Sequence, residues 1–193
     1  MNLRPTRWTI VLCLVAGLWG CASTQTNVDG SSGLSGCIES ENLLANMPFQ
    51  SDLRGWQYAQ HTGDISFTAS AEGEVLTIER IGPEPWMLMY QIIKDPRLAG
   101  SRILFEAELR GDAPSEPEIH GFEHKAGLYL KADGVRTLIA EHEPNKDTWD
   151  WTSVSYEEVL SANVRSLRAG FSHQSGGSIS ARNAKLVLLD CGG

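Results

Sequence analysis

Glu106 and Glu108 stand two residues apart in a stretch, Phe105-Glu106-Ala107-Glu108-Leu109-Arg110, that alternates apolar and charged side chains. On a strand, two residues of rise set the carboxyl groups roughly 7 Å apart on one face, which overlaps the spacing of glycosidase acid pairs. Any alternating acidic strand has this spacing, so the pair marks hydrolysis only where both groups flank a pocket. His120-Gly121-Phe122-Glu123-His124, preceded by Glu118 and followed by His142 between Glu141 and Glu143, supplies the ligand types of a zinc site. Pro114, Pro117 and Gly121 oppose the helix that would bring His120 and His124 to one face, and the order of residues is not HExxH. Loop histidines on a surface give the same pattern, and no metal site is expected. Ser172 and His173 are adjacent, so on a strand they face opposite ways and form no nucleophile–base pair. The chain has neither GxSxG nor a glycine-rich phosphate loop. A non-catalytic protein is the expected reading.

The elements that must position these residues read as strands. Ile65 to Ala69 alternates, and Val75 to Ile78 follows a Glu72-Gly73-Glu74 turn. Trp86 to Ile93 is a long apolar run in which Trp86 and Tyr90 share one face and Gln91 takes the other. Ile103 to Arg110 puts Phe105, Ala107 and Leu109 opposite Glu106, Glu108 and Arg110. Gly127 to Lys131 separates Leu128 and Leu130 from Tyr129 and Lys131, and Ser166 to Ser172 and Lys185 to Leu189 complete the series. At most a turn is expected over Ser155 to Leu160. About eight strands with no helical period between them predict an all-β, antiparallel two-sheet sandwich of the jelly-roll kind.

The N-terminus has a different character. Arg4 and Arg7 precede an apolar run from Trp8 to Trp19 that is too short to span a bilayer as a helix. It closes in Leu18-Trp19-Gly20-Cys21, which resembles the bacterial lipobox. That resemblance implies a signal peptide over residues 1–20 and a Cys21 that carries a diacylglycerol thioether and fatty acid. Acyl chains then supply the membrane affinity. The alternative is an ordinary secretory signal with a chance cysteine. Residues 21–36 follow as the lipidated cysteine and a Gly/Ser-rich flexible tether, and residues 37–193 as the sandwich domain. Ala22, in place of Asp, resembles the sorting pattern for the outer membrane if the host has two membranes. Removing residues 1–20 from 193 leaves 173, and removing two of 16 basic residues against 24 acidic ones gives a charge of −10. So acidic a chain excludes nucleic acid as the main partner. Cys37 and Cys191 remain in an oxidising compartment. They are expected to form a disulfide that brings the two ends of the domain together, with two free thiols as the alternative.

Asn42-Leu43-Leu44 with Gly55-Trp56, Gly73 to Ile78, Pro85-Trp86, Leu98-Ala99-Gly100, Phe105 to Arg110, Trp149-Asp150-Trp151, Leu167 to Phe171 and Ala181 to Leu186 occur in an informative order. That order resembles the galactose-binding-domain-like jelly rolls that include many carbohydrate-binding modules. The resemblance implies a saccharide or cell-envelope glycan as ligand, held by aromatic rings and hydrogen-bonding side chains. The residues it nominates are Trp86, Tyr90, Gln91, Glu106, Glu108, Arg110 and Tyr129, with Lys131 beside them, while Trp56 and Trp151 match positions that pack in the core. It also implies that Asp190, with Glu39 or Glu41, could hold a structural calcium near the chain ends; no other cofactor is expected. The segment Ala113 to Lys125 could cover the concave face. A filled face would favour docking of an envelope protein over sugar binding.

Overall fold

The computed structural model describes residues 36–50, 52–114, 126–132, 138–142 and 148–192, of which 138–142 are described as backbone. Eleven strands are described: β1 (Ile38–Glu39), β2 (Gln57–Gln60), β3 (Phe67–Glu72), β4 (Val75–Arg80), β5 (Met87–Ile93), β6 (Arg102–Asp112), β7 (Ala126–Ala132), β8 (Leu138–His142), β9 (Thr148–Val159), β10 (Leu167–His173) and β11 (Ser178–Asp190). A 3₁₀ turn, Pro96–Leu98, joins β5 to β6, and its Asp95 carboxylate accepts the Arg97 N–H at 2.8 Å. One sheet runs β3-β4-β11-β6-β9 with β1 added alongside β11, and the other runs β2-β5-β10-β7-β8. Every pairing is antiparallel. The fold is an all-β, two-sheet jelly roll, as the sequence predicts.

Alternation builds the core. Ile103, Phe105, Ala107 and Leu109 on β6 are buried, as are Met87 and Met89 on β5, Leu128 and Leu130 on β7, and Leu167, Ala169 and Phe171 on β10. The two inner faces meet in an aromatic cluster, with Phe171 within 6.0 Å of Phe49, 5.8 Å of Trp56 and 6.4 Å of Phe105. Trp56 therefore packs against the core as expected. Leu109 is 1 % exposed; Leu109→Ala is expected to cost roughly 2–5 kcal/mol, read as a shift in the urea midpoint with an unchanged slope.

Ser155 to Val159 form the end of a twelve-residue strand, β9, and not a turn. The expectation fails because β9 is an edge strand whose outer positions are polar, and because a bulge breaks its phase. Leu109 pairs with Thr152 but Gly111 with Trp149, so β9 holds one extra residue there. Trp149 and Val154 both end up buried although their numbers differ in parity. A second register shift, between Arg182 and Lys185, with Asn183 at φ 53°, does the same on β11. It hides the first half of that strand from a search for strict alternation.

The chain ends are joined as anticipated, with Cys37 and Cys191 bonded and their Cα atoms 3.9 Å apart. The segment after Cys37 is fastened along β11. Ser40 N–H donates to the Leu188 carbonyl and Leu43 N–H to that of Leu186, while the Asn42 amide bonds the Ala184 carbonyl and accepts the Leu186 N–H.

Candidate functional site

The nominated residues are divided between the outer faces of both sheets and the interior. Glu106, Glu108 and Arg110 occupy the outer face of the sheet that contains β6. Tyr90 and Tyr129 occupy the outer face of the opposite sheet. Gln91 points between the sheets: it is 5 % exposed, its Oε1 accepts the Ala45 N–H at 2.9 Å and its Nε2 donates to the Ala45 carbonyl at 2.7 Å. Gln91 therefore pins the segment before Phe49 to the interior and is not offered to a ligand. Trp86 precedes β5, on average about 13 Å of strand rise from Tyr90, with its ring 6.1 Å from that of His61.

The face of β6 is occupied by its own charges. Arg182 Nε donates to Glu108 Oε2 at 2.6 Å and Asn183 Nδ2 to the same oxygen at 2.8 Å. The Arg182 guanidinium holds the Glu108 carboxyl below the usual range, against the effect of burial. Lys185 Nζ lies 2.9 Å from both Glu106 and Glu39. Burial opposes the Lys185 ammonium, yet the two carboxylates raise its pKa. Trp151 is not in the core: it lies on this outer face with the Arg182 guanidinium 4.2 Å and that of Arg110 4.9 Å from its ring centre. The bulge in β9 puts it there. Beyond Arg110, a groove of about 520 Å³ is lined by Asp112, Thr148, Asp150, Ser178 and Ser180 over a floor of Gly111 and Trp149. A Cβ on Gly111 would fall 2.0 Å from the Trp149 ring, so only glycine permits that floor.

The face of the opposite sheet is built differently. Gly170 on β10 pairs with Tyr90 on one side and Tyr129 on the other, so the three form one row. With no side chain at its centre, the two rings approach to 6.1 Å between centres. A Cβ at Gly170 would fall 2.0 Å from the Met89 carbonyl oxygen, which fixes glycine at this point. Tyr90 is 9 % and Tyr129 3 % exposed, so neither ring lies open as a stacking platform. Burial pushes the Tyr129 phenol up, and Arg168, which bonds it, pulls the other way. The Arg168 guanidinium also lies 5.4 Å from the centre of the Tyr90 ring. Arg168 and Gly170 were legible in the alternation of Leu167 to Phe171, which sets both opposite the core residues. Ser172, on the same face, is fully buried, and its hydroxyl has no hydrogen-bond partner among the described residues.

Ser172 and His173 face opposite sides of β10, as expected. His173 is buried against Phe67 and its Nε2 donates to the Gly177 carbonyl at 3.2 Å. Desolvation lowers its pKa to about 4, so the imidazole is neutral. Of the proposed calcium ligands, Glu39 pairs with Lys185, Glu41 with Arg97 at 3.5 Å, and Asp190 accepts the Gly192 N–H at 3.2 Å. No three His, Cys, Asp or Glu side chains converge among the described residues. Cys21, His120 and His124 lie outside the described residues, as does the segment 115–125, and His142 is described as backbone on β8.

No family model and no curated protein matches the chain. Among solved structures it is similar to the enzymatically active domain of tailspike protein 4 of bacteriophage CBA120, at TM-score 0.55 and 12% identity, over 76% of this chain and 21% of that one. It is similar to a Stig cyclase from Fischerella sp. TAU, solved with an indole ligand, at TM-score 0.54 and 11% identity, over 81% of this chain and 100% of that one. The carbohydrate-binding module TmCBM61, solved with β-1,4-galactotriose, aligns at TM-score 0.49 and 13% identity over 76% of this chain and 98% of that one. At these identities the likeness is one of fold, and the fold is the two-sheet jelly roll.

Proposed function

We propose that this protein is a non-catalytic envelope lipoprotein that binds a glycan on the outer face of the sheet containing β10. One observation carries the reading: the exposed guanidinium of Arg168 stands over the row of Tyr90, Gly170 and Tyr129 with exposed Ile92 as its register neighbour, placing hydrogen-bonding groups beside an apolar side chain. That combination suits a sugar ring, whose hydroxyls need directed partners and whose C–H groups need apolar contact. Because the rings are buried, recognition is by polar groups at their edge and not by broad stacking. The non-catalytic part of the reading is supported by Glu106 and Glu108, each held by a cation on an outer sheet face and not paired across a pocket. The test is a glycan array probed with residues 34–193, which contain the core and the disulfide. Binding that Arg168→Ala weakens is the expected result. The absence of any binder, with capture of an envelope protein instead, would replace this reading with partner docking.

Anchoring rests on Leu18-Trp19-Gly20-Cys21. Cys21 is the proposed acceptor of lipid, and the outer membrane the proposed site in a host with two membranes. Cys21→Ser is expected to leave an unprocessed precursor without fatty-acid label; label equal to that of the wild type would overturn it.

A further inference from the structure

Charge is distributed unequally between the two outer faces. On the sheet of β6, the cations meet carboxylates: Arg182 with Glu108, Lys185 with Glu106 and Glu39, and Arg102 with Glu157 at 2.7 Å. On the sheet of β10 they do not. Arg168 is the register partner of Lys131 on β7 and of Ile92 on β5, and Lys94 follows one residue past the end of β5. Arg168, Lys131, Lys94 and Ile92 are all exposed. Among the described residues, none of these three cations lies in an ion pair with a carboxylate. The outward positions described on β2, β5, β10 and β7 include no acid: Gln57, Ala59, Leu88, Tyr90, Ile92, Arg168, Gly170, Ser172, Gly127, Tyr129 and Lys131. On β8, Glu141 pairs with Gly127, four residues along β7 from Lys131.

A protein of net charge −8 over its full sequence thus keeps, next to its tyrosine pair, a row of cations that meet no carboxylate among the described residues. Like charges held together on neighbouring strands repel one another unless an anion joins them. The guanidinium offers a planar fork suited to carboxylate or phosphate oxygens, and Lys131 and Lys94 add point charges beside it.

We propose that the ligand of this face is an acidic polysaccharide, its carboxylate or phosphate groups held by Arg168, Lys131 and Lys94 and the adjoining sugar ring by the edges of Tyr90 and Tyr129. This rests on the glycan reading above and names the class of glycan.

The experiment uses residues 34–193 in affinity electrophoresis through polygalacturonate and through the same polymer fully methyl-esterified, which keeps the sugar and removes the charge. A phosphomannan and its dephosphorylated form provide the phosphate arm. Expected are retardation by an acidic polymer and not by its neutral form, and a loss of about tenfold in affinity in Arg168→Gln and in Lys131→Gln, as removal of a charged hydrogen-bonding partner produces. Affinity should also fall as salt rises. Arg182→Gln, on the opposite face, should bind as wild type. Melting curves of each variant separate lost binding from lost fold, and Lys131→Gln changes an exposed side chain. Equal binding of the charged and neutral polymers would overturn the acidic-ligand inference and leave the glycan reading standing. If acidic and neutral glycans alike fail to bind on the array, both fall. If vesicles of phosphatidylglycerol bind the domain and polysaccharides do not, the cations face a membrane and the inference is wrong.

Discussion

Replacing Cys37 and Cys191 with serine is expected to lower the unfolding free energy by on the order of 4–5 kcal/mol. The bridge spans 154 residues of sequence. In the chain-entropy account, cross-linking so long a loop removes much of the freedom of the unfolded chain. A domain of ordinary stability has only about 5–15 kcal/mol to lose, so the variant should sit near its threshold at physiological temperature. Urea unfolding of the wild type with and without reductant, beside the double serine variant, measures the effect. Reduced wild type and variant should coincide. Oxidised wild type unfolding at the same midpoint as the variant would mean that the hydrogen bonds from Ser40 to Leu43 already hold the ends together. The N-terminal segment is where the variant should first lose hydrogen-exchange protection, because the backbone N–H groups of Ser40 and Leu43 are held only by carbonyls of β11.

Acidification from pH 6.5 to about 4 is expected to remove about 3 kcal/mol of stability through His173 alone. The folded pKa is depressed, from 6.5 to about 4, first by desolvation; the bond to the Gly177 carbonyl raises it and the nearby Arg80 charge lowers it further. Between these two values the unfolded chain binds a proton that the folded chain does not. Stability therefore rises with pH across that window, is fully present above pH 6.5, and is lost as pH falls toward 4. His173→Gln cannot take up the proton, and its amide can still donate to Gly177. Its stability should be flatter than that of the wild type over pH 4–6.5. Parallel curves for the two proteins would show that His173 titrates normally. Carboxylates such as Glu108 contribute to both proteins and cancel in the difference.

Much of the fold was legible because alternation is a direct imprint of burial on one side of a sheet. Phe105, Ala107 and Leu109 on β6 and Leu128 and Leu130 on β7 were assigned to the core from periodicity alone, and all are buried. β9 escaped because its inward residues change parity at the bulge, and Trp151, assigned to the core by the family resemblance, is turned outward there. β2 escaped because Gln57-Tyr58-Ala59-Gln60 is a four-residue edge strand with little to bury. The candidate site was less legible than the fold. Alternation gives the face of a strand relative to its own neighbours in sequence, but not which sheet the strand joins. Glu106 and Tyr129 each read correctly as outward, yet outward on β6 and outward on β7 are opposite sides of the molecule. Gln91 read correctly as facing away from Tyr90. That direction proved to be the interior, where its amide is consumed by the backbone of Ala45. Arg168 reads as outward from the alternation of Leu167, Ala169 and Phe171, but its place over Tyr90 and beside Tyr129 depends on strand pairing that periodicity does not give.

The disulfide also determines how the domain would bear a load. If Cys21 is held in a membrane and the ligand is fixed to a large polymer, tension enters the fold at Cys37. A two-residue strand antiparallel to its neighbour would otherwise peel away one hydrogen bond at a time, each bond resisting with only about 1 kcal/mol. The bond to Cys191 lies ahead of the first of these, so the pull is carried by covalent structure into the end of β11. That strand is thirteen residues long and lies between β4 and β6 within its sheet. Force is then spread along an interior strand as shear across many bonds at once, and the joint between tether and domain is no longer its weakest mechanical point.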